Sequence, residues 1–220
     1  MKKSILLFTS LLSIFILYSD ILFAQAVRSC GTMEYLQLQE QQKPGAVQRW
    51  LDAQNAADEW VKNHPSDSRN TITIPVVVHV VYHTSAQNIS DNQINSQIEV
   101  LNEDFQRRNA DTAKTPEVWK PVAGSMDVEF CLAKYDPSGD ATSGITRTET
   151  DVVTFNLGDS MKYTNKGGDD AWPCTHYLNI WVCNLGNGTL GYTTLPTQNN
   201  CNSSDGVVVQ YNAFGRVGTL

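Results

Sequence analysis

Two histidines, His79 and His83, have the four-residue spacing that brings two ligands to one zinc ion on a metalloprotease helix. The run from Ile72 to Tyr82 is instead dense in β-branched residues, which predicts a buried strand. Four residues of strand span about 13 Å, whereas two ligands of one zinc each lie about 2 Å from the metal. Val80 also stands where a metalloprotease has its general base. We therefore expect both histidines to be core or strand-end residues.

The first segment of the chain has the composition of a secretory signal peptide. Two lysines follow the initial methionine, residues 4–23 are mostly Leu, Ile and Phe, and small residues follow at Ala24 and Ala26. An uncleaved membrane anchor is the alternative, but a Tyr-Ser-Asp run interrupts the apolar stretch. We predict a secreted, extracellular protein with its signal at residues 1–24 and no membrane contact after cleavage.

The composition limits the class of protein. The chain has 220 residues, enough for one ordinary domain and a short extra segment. Hydrophobic residues make up 41% and charged residues 18%, which is typical of a globular chain. Acidic residues number 23 and basic residues 16, with no basic cluster, so a nucleic-acid partner is not expected.

The chain has five cysteines. Disulfides are favoured in an exported chain, and an odd number leaves one thiol without a partner within the chain. Cys30 lies far upstream of the others, so we expect it to be the unpaired thiol. The alternatives are that this thiol has no role, or that its disulfide partner has been lost. The remaining four allow three pairings: Cys131, Cys174, Cys183 and Cys201. A zinc site built from three of these thiols and His176 is the alternative, but its spacing is irregular and we expect two disulfides.

Two modules follow the signal. Residues 26–70 are polar and helix-prone, with a helix expected between Gly45 and Pro65 that carries Trp50 and Trp60 on one face. The run 64–70 has the composition of a linker. We therefore place a short leader before a boundary near Arg69.

The rest of the chain predicts an α+β architecture, a mixed sheet backed by at least one helix. Ser90 opens an amphipathic helix with a capping box. Strands are expected at residues 72–82, 128–133, 177–182, 190–195 and 207–211. The acidic loops between them allow calcium, although no D-x-D-x-D-G loop with a closing glutamate is present.

The run from Ile74 to Thr219 resembles the N-terminal half of a pappalysin-family (M43-type) metzincin metallopeptidase of the secreted microbial kind. The matching stretches follow the family's order: IPVVVHVVYH, SDNQINSQIEVLNEDFQRRN, VEFCLA, SGITRTET, GGDDAWP, YLNIWVCNL, LGYTTLP and DGVVVQYNAFG. The resemblance implies a metzincin-like upper subdomain, with a twisted mixed five-stranded sheet and a backing helix. The family's active-site helix, H-E-x-x-H-x-x-G-x-x-H, is missing from this sequence and would be expected shortly beyond Leu220.

The resemblance also implies an organisation and a chemistry. Residues 1–24 would be the signal, 25–70 a pro-segment and 71–220 the truncated upper part of a catalytic domain. The complete enzyme would be a zinc metalloendopeptidase acting on proteins or peptides, whereas this chain alone, with none of the family's catalytic residues, is expected to be an inactive fragment. The upper-rim strand would bind substrate through Leu190, Gly191, Tyr192, Thr193 and Thr194.

The leader sequence Arg28-Ser-Cys30-Gly31-Thr32 is similar to the motif by which related zymogens stay latent. The resemblance makes Cys30 an inhibitory zinc ligand, and Gly31 would let the leader backbone approach closely. The alternative for the whole chain is a non-catalytic or degenerate secreted binding module, because the zinc motif is absent from it.

Overall fold

The computed structural model describes residues 28–64, 71–197 and 201–216. The predicted signal peptide and the linker near Arg69 lie outside these residues. Within them no helix is long and apolar enough to cross a membrane.

In the described residues, seven strands and three α-helices make up the regular structure, joined by loops that contain short 3-10 turns. The helices are α1 (Thr32–Gln42), α2 (Ala46–Asn63) and α3 (Asp91–Phe105). The strands are β1 (Ser29–Cys30), β2 (Ile72–Tyr82), β3 (Val128–Leu132), β4 (Ile145–Glu149), β5 (Leu178–Cys183), β6 (Thr189–Thr193) and β7 (Val207–Gln210).

All seven strands form one mixed sheet in the order β1-β6-β7-β5-β2-β3, and β4 also pairs with β2. The long strand β2 is the centre: β5 lies on one side, while β3 pairs with its first half and β4 with its second half on the other. Every pairing is parallel except that of β6 with β7. Because parallel strands are covered on both faces, β2 is almost continuously apolar.

Each face of the sheet has its own core. Helix α3 covers one face, where Ile94 and Ile98 pack against alternate residues of β2 such as Val78. On the other face, loops and the leader cover Trp181 and its neighbours. The leader helix α1 therefore contributes to the second core.

The mixed α+β architecture is confirmed, and the five expected strands form within one or two residues of their predicted ends. The sheet has two further strands. β4 (ITRTE) consists mostly of polar and charged residues and is ordered by its pairing with β2. β1 has only two residues. Neither has a local signal strong enough to stand out in the sequence.

The predicted start of α3 is confirmed in part. The Ser90 side chain accepts a hydrogen bond from the Gln93 amide at 3.2 Å, as a capping residue should. The Gln93 side chain does not complete the capping box, because it donates to the carbonyls of Tyr211 and Phe214 instead. It thus ties the helix to the chain that follows β7.

Candidate functional site

The leader, defined here as residues 28–64, begins with a strand on the outer edge of β6. β1 runs parallel to β6. The Ser29 amide donates to the Gly188 carbonyl at 3.2 Å, and the Gly31 amide donates to the Gly191 carbonyl at 2.9 Å. Without β1, strand β6 would be the last strand of the sheet and would offer free N–H and C=O groups.

The leader thiol lies beside this pairing. Cys30 is exposed, and its Sγ is 3.3 Å from the Thr32 hydroxyl. That hydroxyl accepts a hydrogen bond from the Thr193 amide at 3.3 Å, which ties the thiol-bearing turn to β6. A Cβ at Gly31 would lie 3.0 Å from Cδ1 of Leu157, so glycine permits this close approach.

The predicted substrate-binding residues lie on β6 and directly after it: Leu190, Gly191, Tyr192, Thr193 and Thr194. Two of their side chains point into the protein. Tyr192 and Thr194 are buried, and their hydroxyls donate to the carbonyls of Gly158 and Ser204. This segment meets the leader through its backbone, at the Gly191 carbonyl and the Thr193 amide, and through the ring of Tyr192, which packs against Tyr35.

A buried lysine and a half-buried aspartate form an ion pair next to α1. Lys162 is fully buried; its Nζ lies 2.9 Å from Oδ1 of Asp159 and donates to the Ser204 carbonyl at 2.6 Å. The phenol of Tyr35, from the leader, donates to the same Asp159 oxygen at 2.6 Å. Burial lowers the pKa of Lys162, and the Asp159 carboxylate opposes that shift. Burial, together with the hydrogen bond to Asp159, raises the pKa of Tyr35.

His79 is fully buried in the middle of β2. Its Nδ1 lies 2.9 Å from Oδ2 of Asp169 and 3.0 Å from the Thr146 hydroxyl, and its Nε2 lies 3.0 Å from Oδ1 of Asn179. The ring stacks on Trp181 with centroids 5.1 Å apart. Although burial acts to raise it, the hydrogen bonds from His79 and Thr146 hold the pKa of Asp169 below its usual range. His79 is thus a satisfied core residue.

His83 follows the end of β2, and its Nδ1 lies 2.9 Å from the Thr150 carbonyl. The two histidines do not meet, as the strand geometry predicts. Over the whole described part of the chain, no three His, Cys, Asp or Glu side chains come together where they could hold a metal ion. These residues alone therefore do not fit a zinc site, and we assign no hydrolytic step to them.

The five cysteines form one disulfide, and the expectation of two disulfides is wrong. Cys174 and Cys201 are bonded, with Cα atoms 5.4 Å apart. Cys131 and Cys183 are free. They lie on β3 and β5, which flank β2, so they are separated by at least two strand spacings of about 4.8 Å each. That distance exceeds the reach of a disulfide, about 7 Å between Cα atoms.

No protein-family model matches the chain, and no curated protein matches it either. Solved structures do. Tannerella forsythia mature mirolysin in complex with a cleaved peptide is 55% identical, with a TM-score of 0.66 over 69% of this chain and 57% of that one. The chain shares the fold of mirolysin. A Tannerella forsythia promirolysin mutant is 49% identical, with a TM-score of 0.75 over 87% of this chain and 62% of that one.

Mirolysin in complex with a small compound is 54% identical, with a TM-score of 0.62 over 68% of this chain and 56% of that one. The chain thus spans about three fifths of the length of these mirolysin structures. The metzincin-like fold expected from the sequence is confirmed. The narrower pappalysin assignment stays a prediction.

Sequence reasoning missed the cluster of Tyr35, Asp159 and Lys162. Tyr35 is 124 residues from Asp159 in the chain, and Lys162 has the sequence neighbourhood of an ordinary surface lysine. The one local signal is the apolar pair Tyr35-Leu36 within a polar helix. It indicates a buried contact but not which residues form the other side of that contact.

Proposed function

We propose that this chain is the leader and upper catalytic part of a secreted, zinc-dependent endopeptidase of the pappalysin family, which the leader keeps latent. The observation that carries the proposal is the pairing of β1 with β6. A free sheet edge can align an extended peptide by main-chain hydrogen bonds. With the leader in place, the Gly191 carbonyl on that edge is already bonded to Gly31.

The comparisons support a protease precursor. One mirolysin structure is a mature form with a cleaved peptide, and another is a promirolysin. The promirolysin match covers 87% of this chain and the mature match 69%, a difference of about 40 residues. That difference is close to the length of the leader. Peptides or proteins are accordingly the substrates we propose, and the extracellular space the location.

Cys30 supplies the chemistry of latency in this proposal. A thiolate is a strong ligand for zinc, and the Cys30 thiol is exposed at the rim of β6. The three histidines that bind zinc in the family would have to come from beyond the described residues. Cys30 would then hold a ligand position that catalysis needs open.

The test is the substitution Cys30→Ala in the full-length precursor. We expect this variant to hydrolyse a quenched peptide without prior processing, while the wild type stays latent. Cys131→Ala is the matched control, because Cys131 is also a free thiol but lies on β3, away from the leader. A second readout is labelling of the Cys30 thiol, which should speed up when zinc is chelated.

Two results would contradict the proposal in different ways. If Cys30→Ala remains as latent as the wild type, the cysteine is not the inhibitor. If the full-length protein neither binds zinc nor hydrolyses peptides after the leader is removed, a secreted binding module becomes the better reading.

A further inference from the structure

The leader places a tyrosine inside the core of the domain that it covers. Tyr35 is 1% exposed and belongs to the same buried cluster as Trp181 and Tyr192. The rings of Tyr35 and Tyr192 have centroids 5.0 Å apart and are tilted by 43°. The leader is therefore not merely laid on the surface, because one of its side chains completes the apolar packing.

The polar end of Tyr35 is matched equally closely. Its hydroxyl donates to Asp159 at 2.6 Å, and the Lys162 ammonium donates to the same hydroxyl at 3.5 Å. Lys162 Nζ also lies 5.0 Å from the centroid of the Tyr35 ring, in cation-π range. The site is therefore suited to a phenol, because it offers a carboxylate acceptor for the hydroxyl, a cation over the ring and an aromatic side chain beside it.

This site is separate from both features that would be expected to control the leader. Cys30 is exposed on β1, at the edge of β6, whereas Tyr35 is in α1 and its side chain is buried, with its hydroxyl on Asp159. The linker near Arg69 follows α2 in the sequence, whereas the described partners of Tyr35, Asp159 and Lys162, belong to the domain that comes after the linker. Cutting the linker would remove the covalent connection and leave the tyrosine contacts intact.

We propose that the domain carries a phenol pocket, formed by Asp159, Lys162 and Tyr192, which retains the leader through Tyr35 after the linker is cut and independently of the Cys30 thiol. The proposal rests on the proposed function in one respect, that leader retention prolongs latency. It predicts that cleavage of the linker alone does not release the leader. Activation then needs a second event that withdraws or destroys α1.

The experiment uses the full-length precursor with a specific protease site in place of residues 65–70. After complete cutting, size-exclusion chromatography and intact mass follow how fast the leader dissociates. The wild-type leader should co-elute with the domain. Tyr35→Ala should raise the dissociation rate by more than about a hundredfold, because a large buried side chain is lost. Tyr35→Phe should raise it about tenfold, because it loses only the hydrogen bond to a carboxylate.

Two controls make the result specific. Met33→Ala changes an exposed side chain of the same helix and should leave the dissociation rate unchanged. Cys30→Ala should also retain the leader, whatever it does to activity. Immediate loss of the wild-type leader, or equal rates for the wild type and both Tyr35 variants, would overturn the proposal. If the alanine variant does not accumulate, the phenylalanine variant decides alone.

The two proposals fail separately, because retention is measured without any activity. A leader that stays bound through Tyr35 in a protein without protease activity would support the pocket and contradict the proposed function. A leader that leaves at once from a protein that Cys30→Ala activates would do the reverse.

Discussion

The Gly31 amide donates a 2.9 Å hydrogen bond to the carbonyl of Gly191, which joins the leader to the strand proposed to bind substrate. Both residues are glycines for a steric reason. A Cβ at Gly31 would lie 3.0 Å from the Leu157 side chain, and one at Gly191 would lie 2.7 Å from the Val208 carbonyl. The close layering of leader, β6 and β7 therefore depends on two positions without side chains.

Gly191→Ala should destabilise the protein. The new methyl group would press against the backbone of β7, which cannot move aside cheaply, so we expect a loss of about 1–3 kcal/mol in the free energy of unfolding. Urea unfolding measures it. Gly124→Ala is the control, because its Cβ would meet nothing within 4 Å. Equal stabilities for the two variants would show that β6 and β7 are not packed as described.

The His79–Asp169 pair should give a pH-dependent contribution to stability. The pKa of Asp169 is lowered in the folded state, so the pair stabilises the fold above the ordinary aspartate pKa of about 3.9. That stabilisation is lost as the pH falls through the lowered value. Asp169→Asn should therefore cost about 2 kcal/mol at pH 7, and the difference from the wild type should shrink below about pH 4.

Thermal or urea unfolding across pH 3 to 7 checks this prediction. Asp151→Asn, at an exposed position, should stay within about 0.5 kcal/mol of the wild type at every pH. A constant difference between Asp169→Asn and the wild type down to pH 3 would mean that the charge of Asp169 is not what matters.

The three free thiols should react in a fixed order. Cys30 is exposed, Cys131 is half-buried and Cys183 is buried. Burial also raises the pKa of Cys183, which keeps it protonated and unreactive. In the zinc-free protein we expect alkylation first at Cys30, then at Cys131, and at Cys183 only after unfolding. Mass spectrometry of timed samples reads the order, and a Cys131–Cys183 disulfide in any sample would contradict it.

The Cys174–Cys201 disulfide closes a loop with a sequence separation of 27 residues. By the chain-entropy argument, its reduction should lower the free energy of unfolding by about 3 kcal/mol. Urea titrations with and without a reductant measure the effect. The double variant Cys174→Ala/Cys201→Ala should be insensitive to reductant, and a wild type equally insensitive would show that the bond is absent or contributes nothing.

The sequence was enough for elements that carry their own pattern. β2 is recognisable because a central parallel strand must be apolar on both faces, and α3 because Ser90 and its apolar stripe mark its start and its face. β1 and β4 could not be found in this way. Their residues are extended only because β6 and β2 offer them hydrogen-bond partners.

In the candidate site, too, some residues have a local signal in the sequence and others do not. Cys30 stood out because an odd thiol is a property of composition, and the strand at 190–195 because Gly188 and Pro196 bound it. Their proximity is a property of the fold. Asp159 and Lys162 have no local signal in the sequence, and the apolar pair Tyr35-Leu36 indicates only that a contact is buried, because the partners of these side chains are set by the fold.

If the proposed function is right, the leader and a peptide substrate pair with the same strand, Thr189–Thr193. The most direct measurement is amide hydrogen exchange of this segment in the full-length protein with the leader present, with the leader removed, and with the leader removed and a non-cleavable peptide added. We expect slow exchange at Thr193 in the first state, fast exchange in the second, and slow exchange again in the third. Peptide binding that leaves this exchange unchanged, or that occurs with the leader still paired to β6, would contradict it.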